Sequence, residues 1–269
     1  MAIEFLLITT AAAALLMSAG MALAWVIQQR TGQSGWVDAC WTFSVGLACV
    51  AISLAATIGH THPVRPLLIA CLIAFWSLRL GMHIVARTRG SGDDPRYAKM
   101  REEWGDEAPR KMFTLLQVQA LASLPLLIAV AAAASNFERP LGLQDVVAAL
   151  VYLSAIAGEG VADAQLRTFG GNLANRGKVC RSGLWSWSRH PNYFFEWLVW
   201  LALPIFAINL DGSHVFGWLA LGAPVIMYWL LTRVSGIPLL EDHMVAKYGD
   251  PYRDYQRSTS AFFPMPPRT

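Results

Sequence analysis

Seven runs almost free of charge dominate the chain: Phe5–Ile27, Ala39–Ile58, Pro66–Ile84, Phe113–Ala134, Leu143–Asp163, Tyr193–Leu210 and Val215–Thr232. Each is close to the ~20 residues that a helix needs to cross about 30 Å of hydrocarbon. In lipid every backbone N–H and C=O must find a partner within the protein, so runs of this length are expected to be helices. Composition closes the alternatives. With 55% hydrophobic and 14% charged residues, against roughly 25% charged in soluble domains, the chain cannot coat a soluble core. Disordered, collagen-like and disulfide-framework classes fall with it. The reading is an all-α integral membrane bundle of seven transmembrane helices, one membrane-embedded domain over residues 1–269. The first run has Glu4 ahead of it, no basic leader and too long a core for a cleavable signal, so it counts as a true span.

Basic loops stay in the cytoplasm, so the Lys/Arg distribution orients the bundle. The loop after the third run holds Arg87, Arg89, Arg96, Lys99, Arg101, Arg110 and Lys111. The loop after the fifth holds Arg167, Arg176, Lys178, Arg181 and Arg189, and the tail holds Arg233, Lys247, Arg253, Arg257 and Arg268. The opposite connections, near His60 to Arg65, Ser135 to Gln144 and Asp211 to His214, carry only Arg65 and Arg139. The N-terminus is therefore expected outside and the C-terminus in the cytoplasm. The four cysteines lack Cys/His ligand spacing, so no metal site is expected.

Ionisable groups at membrane depth are retained mainly where they face a polar cavity or a partner. Asp38 begins the second span, Arg79 and His83 lie late in the third, Glu159 and Asp163 close the fifth, Glu196 opens the sixth and Arg233 follows the seventh. All fall at the end assigned to the cytoplasm. Arg79/His83 and Glu159/Asp163 are i,i+4 pairs, so each pair shares a helix face. Taken singly, Arg79 can snorkel and Asp38 or Glu196 can sit as a first-turn carboxylate at a helix N-terminus. Taken together they point to a polar vestibule open to the cytoplasm.

The most specific pattern is C-terminal. Asp163-Ala-Gln-Leu-Arg167 is followed by Gly183-Leu-Trp and by Ser188-Arg-His190-Pro-Asn192-Tyr193-Phe-Phe-Glu196-Trp. Gly236-Ile-Pro-Leu-Leu-Glu241 and the Tyr-rich tail with Tyr248, Tyr252 and Tyr255 complete it. This string resembles the steroid 5α-reductase C-terminal family, in its bacterial branch. The likeness reaches upstream through Ser34-Gly-Trp-Val-Asp38, Trp76-Ser-Leu-Arg79-Leu-Gly-Met-His83 and Asp94-Pro-Arg96-Tyr97. Sterol reductases and isoprenylcysteine carboxyl methyltransferases share part of it more loosely.

The resemblance implies a multi-pass enzyme of the bacterial inner membrane, acting as a monomer on a lipophilic small molecule, with the bilayer and no nucleic acid as its partner. The enzyme would bind NADPH through roughly residues 140–269 and reduce an activated carbon–carbon double bond. Asp163, Arg167, Asn192, Glu196, Glu241, Tyr252 and Tyr255 are the implied cofactor contacts, with Arg181, His190 and Arg233 added because they flank the same motifs. The residue types suit that use: guanidinium groups for phosphates, and Asp, Glu and Asn as acceptors for ribose hydroxyls and the carboxamide. No Gly-x-Gly-x-x-Gly follows a strand, so a soluble dinucleotide fold is not expected.

Reducing an enone also requires a donor to the oxygen that gains negative charge. The steroid-reducing members place a Gln-Glu pair on the second helix and a tyrosine just before an arginine on the third. This chain has Asp38 near the first place and Trp76 near the second, and Glu159 where an asparagine is usual. Asp38 is accordingly read as the donor, helped by Arg79 or His83. Two alternatives stand beside the reductase: an S-adenosylmethionine-dependent membrane methyltransferase, and a non-catalytic membrane protein.

Overall fold

The computed structural model describes residues 2–58, 63–90 and 93–268, and His60 lies outside them. Eleven α-helices and no β-strand occur among the described residues: α1 (Ala2–Thr31), α2 (Gly35–Ala55), α3 (Val64–Gly90), α4 (Pro95–Trp104), α5 (Ala108–Ala122), α6 (Leu124–Ala134), α7 (Leu143–Gly171), α8 (Pro191–Ala207), α9 (Gly222–Trp229), α10 (Ile237–Tyr248) and α11 (Asp250–Ser258). Six stretches among the described residues are long and apolar enough to cross a membrane: Ile3–Thr31, Gly35–Ala55, Val64–Gly90, Arg96–Ala134, Leu143–Gly171 and Val215–Tyr248. The remaining apolar run, Tyr193–Leu210, folds as α8. Its 17 residues extend about 26 Å at 1.5 Å per residue, short of the hydrocarbon thickness.

Two of the long stretches are composite. Arg96–Ala134 contains α4, α5 and α6, and Pro125 near the start of α6 breaks it where α5 ends at Ser123, since proline has no N–H to continue the ladder. In Val215–Tyr248, a 3-10 segment (Val215–Leu221) leads into α9, then a π-helical turn (Leu230–Val234) precedes α10. At Gly236 a Cβ would run into the backbone of Leu231, so only glycine lets the chain turn that tightly.

The chain divides into two compact units, Met1–Val147 with Leu203–Ala223, and Ala148–Ala202 with Pro224–Thr269. In the first, α1, α2 and α3 pack through small residues. Gly46 lies against Ser77 and Gly81 against the ring of Phe43, with no room for a Cβ at either glycine. Small residues let helix backbones approach where lipid offers no hydrophobic drive. Polar side chains tie these helices to one another and to α5: the Ser77 hydroxyl donates to the Thr42 carbonyl at 3.1 Å, Ser18 to Gln117 Oε1 at 2.7 Å and the Trp41 indole to Ser123 Oγ at 2.9 Å.

A buried fork closes one end of this unit. Arg65 donates Nε and Nη2 to the two carboxylate oxygens of Asp145 at 2.7 and 3.2 Å, and Arg139 Nη1 adds a third bond at 2.8 Å. Arg65 and Asp145 are 4% and 2% exposed. Asn136 and Asn209 exchange amide hydrogen bonds beside them, and His214 pairs with the Ala132 carbonyl at 3.0 Å. The two arginines that stand apart from the basic loops are thus both committed to one carboxylate.

The second unit is organised by its C-terminal tail. Arg189 N–H donates to Ser260 O at 2.8 Å, Met265 N–H to Trp187 O at 2.9 Å and the Ser188 hydroxyl to Phe262 O at 2.9 Å. These bonds lay residues 259–265 along the loop before α8. Phe262 and Phe263 then join Phe194, Trp197 and Tyr228 in an aromatic cluster with edge contacts such as 5.1 Å and 5.3 Å between centroids, a geometry favoured by ring quadrupoles.

Candidate functional site

The last turns of α7 and the first of α8 carry the polar residues that hydropathy places at the ends of apolar helices. Glu159, Asp163 and Glu196 are 4%, 7% and 7% exposed. Pro191 starts α8, where its missing N–H has no helical partner to lose. Just before it, the His190 N–H donates to Ser188 Oγ at 3.1 Å. That start sets Asn192 in the first turn, its amide 3.5 Å from Asp163 Oδ1, and Phe195 against Gly158 one turn on. Glu196 accepts from the Trp200 indole at 2.9 Å, an i,i+4 contact. A seam between α7 and α8 therefore holds carboxylates and an amide in a largely buried setting.

Beside it stands a clamp centred on Glu241. Arg189 donates Nε and Nη2 to its two oxygens at 2.6 and 3.1 Å, His190 Nε2 lies 3.0 Å away and Gln256 donates at 2.8 Å. The third guanidinium nitrogen caps the end of α11 at the carbonyls of Gln256 and Thr259. Burial pushes the His190 pKa down, against the opposing pull of Glu241. The ring is thus neutral and donates its Nε2 proton to the carboxylate. Tyr255 donates its hydroxyl to the Trp185 carbonyl, and the Arg181 guanidinium lies 5.2 Å over the Tyr255 ring while bonding the Pro251 carbonyl. Burial raises the Tyr252 and Tyr255 pKa values, keeping both as phenols.

The expected cofactor residues thus separate into three groups. Asp163, Asn192 and Glu196 lie on the α7–α8 seam. His190, Glu241, Arg181 and Tyr255 spend their polar atoms on anchoring the tail, and Tyr252 is 2% exposed with its ring 5.9 Å from that of Tyr255. Arg167 and Arg233 are exposed. The tail lies as a strap with both tyrosines buried and the Tyr255 hydroxyl on the Trp185 carbonyl. Arg189 and Gln256 belong to the clamp but were not singled out as site residues. The signal for Arg189 was its place in Ser188-Arg-His190-Pro, where loop charge alone accounted for it.

In the first unit, Asp38 sits in the first turn of α2. Arg96 Nη2 donates to its Oδ2 at 2.6 Å and the Tyr97 hydroxyl to its Oδ1 at 3.2 Å, while Arg87 lies 3.9 Å away. Gln119 in turn donates to the Tyr97 oxygen at 3.2 Å. Asp94 caps α4 through the Arg96 N–H at 3.0 Å and also takes the Arg96 side chain. The Arg96 guanidinium holds the Asp94 carboxyl below its usual range despite burial. Through Arg96 and Tyr97 the Asp38 carboxylate ties the first turn of α4 to the first turn of α2. Arg79 and His83 are half-buried on one face of α3.

A protein-family model described as "Protein of unknown function (DUF1295)" matches residues 24–259. An uncharacterized protein of Schizosaccharomyces pombe is 26% identical over 273 residues, covering 89% of this chain and 75% of its own length. No solved structure matches the chain significantly. The family match runs from the end of α1 through α11 and takes in both the Asp38 and Glu241 clusters, so the chain belongs to the DUF1295 family.

Proposed function

We propose that this protein is a membrane-embedded, NADPH-dependent reductase of an activated carbon–carbon double bond in a lipophilic, enone-like substrate. The observation that carries this reading is the α7–α8 seam, where the Asp163 carboxylate meets the Asn192 amide and Glu159 and Glu196 are buried on the same two helices. Ionisable groups at such depth are retained mainly for function. The seam's side chains fit the cofactor's uncharged polar parts. Asp163 and Glu196 offer acceptors to ribose hydroxyls, and Asn192 offers both a donor and an acceptor to a carboxamide. The exposed guanidinium groups of Arg167 and Arg233 suit its phosphates.

When bound, NADPH would supply the hydride. The chain's part is to orient it and to stabilise the oxygen that gains charge. Arg79 and His83, one turn apart on α3, are the proposed donors to that oxygen, and Asp38 takes the part of a positioning residue through Arg96 and Tyr97. Glu241, His190 and Tyr255 act by holding the tail in place. The proposed topology has seven spans in the bacterial inner membrane, N-terminus outside and C-terminus cytoplasmic, with α8 and the flanking residues 208–210 as the short sixth span. The commitment of Arg65 and Arg139 to Asp145 supports that orientation, because it accounts for the basic residues on the other side.

The test is NADPH oxidation by the purified protein in nanodiscs, supplied with long-chain alkyl enones. Enone-dependent oxidation is expected, with Arg79→Ala and His83→Ala lowering kcat about 100-fold and Asn192→Ala raising KM for NADPH. Turnover unchanged in all three variants would reject the assignment.

A further inference from the structure

A groove of about 480 Å³ runs along the outer side of the last three turns of α7. Val161, Gln165, Thr168 and Asn172 line it at i, i+4, i+7 and i+11, a single stripe at 3.6 residues per turn. Glu159 and Asp163 fall half a turn round the helix, so the groove shares no residue with the proposed cofactor seam. Its volume is within the roughly 300–1,000 Å³ of ligand pockets.

The lining changes character along the helix axis. Val161 and Ala164 form an apolar end; Asn172, about 16 Å further along at 1.5 Å per residue, marks a polar one, and Asn175 and Ser182 line the groove from the chain that follows α7. Several polar groups are set by bonds that leave their other valence to the groove. Gln165 Oε1 accepts from Leu184 N–H at 2.9 Å, leaving its NH2 group. This close approach requires Gly183, whose φ is +62° and whose missing Cβ would fall against the Gln165 amide. Asn172 Oδ1 accepts from Ala174 N–H, which leaves a second NH2, and Asn175 donates to Phe169 O, which leaves a carbonyl oxygen. The hydroxyls of Thr168 and Ser182 complete the set.

No lining residue carries a charge. No carboxylate is present among them to hold a cation, and no guanidinium or ammonium to pair with an anion. Mixed neutral donors and acceptors match hydroxyl groups, which do both. The apolar end runs past Val161, 48% exposed, and Leu173 beside the polar end is 84% exposed, surfaces suited to an acyl chain. We propose that this groove binds a membrane lipid with an uncharged, hydroxyl-bearing head, the head among Asn172, Asn175 and Ser182 and the chain along Val161.

The test is equilibrium binding of radiolabelled dodecyl glucoside to the full-length protein in phosphatidylcholine nanodiscs. Saturable binding is expected, displaced by unlabelled dodecyl glucoside but not by dodecyl phosphate or by free glucose. Thr168→Trp, which fills the groove from an exposed position, should weaken binding at least about tenfold, and Ser182→Ala should weaken it several-fold. Thermal unfolding checks that both variants fold. Four results would overturn the proposal: non-saturable uptake equal in wild type and both variants, equal displacement by dodecyl phosphate, displacement by free glucose alone, or wild-type affinity in Ser182→Ala. NADPH affinity should be unchanged in Thr168→Trp, so failure here and failure of the reductase reading remain distinguishable.

Discussion

Arg65–Asp145 in the first unit and Arg189–Glu241 in the second are both arginine–carboxylate forks, and the two are built for different ends. Asp145 meets Arg65 and Arg139 and also the Gly142 N–H at 3.0 Å, with the carboxylate almost fully enclosed. Glu241 meets one arginine, a neutral histidine and a glutamine, and its side chain is 13% exposed. The first fork joins the first turns of α3 and α7 to the loop that carries Arg139. The second joins a tail to the loop before α8 and sits on α10, just past a π-helical turn, a feature frequent at functional sites. A carboxylate over-supplied with positive charge acts as a fixed staple. One held by a single guanidinium acts as a latch on which the order of a local segment depends.

The largest effect should come from breaking the staple. Asp145→Ala strands the buried Arg65 guanidinium and should cost about 3–5 kcal/mol, seen as a fall in the thermal unfolding midpoint of the detergent-solubilised protein. If Asp145→Ala proved milder than the latch variant, the contrast would be inverted. Arg189→Ala removes the charged hydrogen bonds of the latch, at about 2–3 kcal/mol. Its effect should be local, with residues 249–268 gaining hydrogen–deuterium exchange while α1 to α3 keep theirs. Gly183→Ala forces a left-handed conformation on alanine and pushes on Gln165, which should cost about 1–2 kcal/mol; an unchanged unfolding midpoint would contradict it.

The smallest effect is a pH dependence of the latch. His190 has a depressed pKa in the folded protein, so the unfolded chain binds more protons in the window below about pH 6.5. The stability contributed by the neutral ring is full above that value and is lost as pH falls through the folded pKa. Protease resistance of the tail should therefore decline on acidification, and His190→Gln should flatten the decline.

Much of this was legible in the sequence because lipid leaves the backbone few choices. Six of the seven apolar runs lie in stretches long enough to span. The other run falls short because its helix ends at Ala207, three residues before the apolar run does. Buried carboxylates were also legible, since Glu159, Asp163 and Glu196 interrupt apolar runs. Partner choice was not. Arg189 looks like one more loop charge until Glu241, 52 residues away, comes beside it. Arg96 and Tyr97 likewise gain meaning only when Asp38 is brought to them from 58 and 59 residues away. Tyr252 and Tyr255 show the limit most plainly: a tyrosine pair reads equally as a ligand platform or as an anchor, and only the fold brings the Tyr255 hydroxyl to the Trp185 carbonyl 70 residues away.

Calorimetric titration of the nanodisc-embedded protein with NADPH, NADH and S-adenosylmethionine, repeated on Asn192→Ala and Glu196→Ala, addresses the central proposal. Saturable heat with NADPH, weakened in both variants, with no response to the methyl donor, is the result predicted for a seam that receives a nicotinamide nucleotide. A response to S-adenosylmethionine alone, or NADPH heat identical in wild type and both variants, would contradict it.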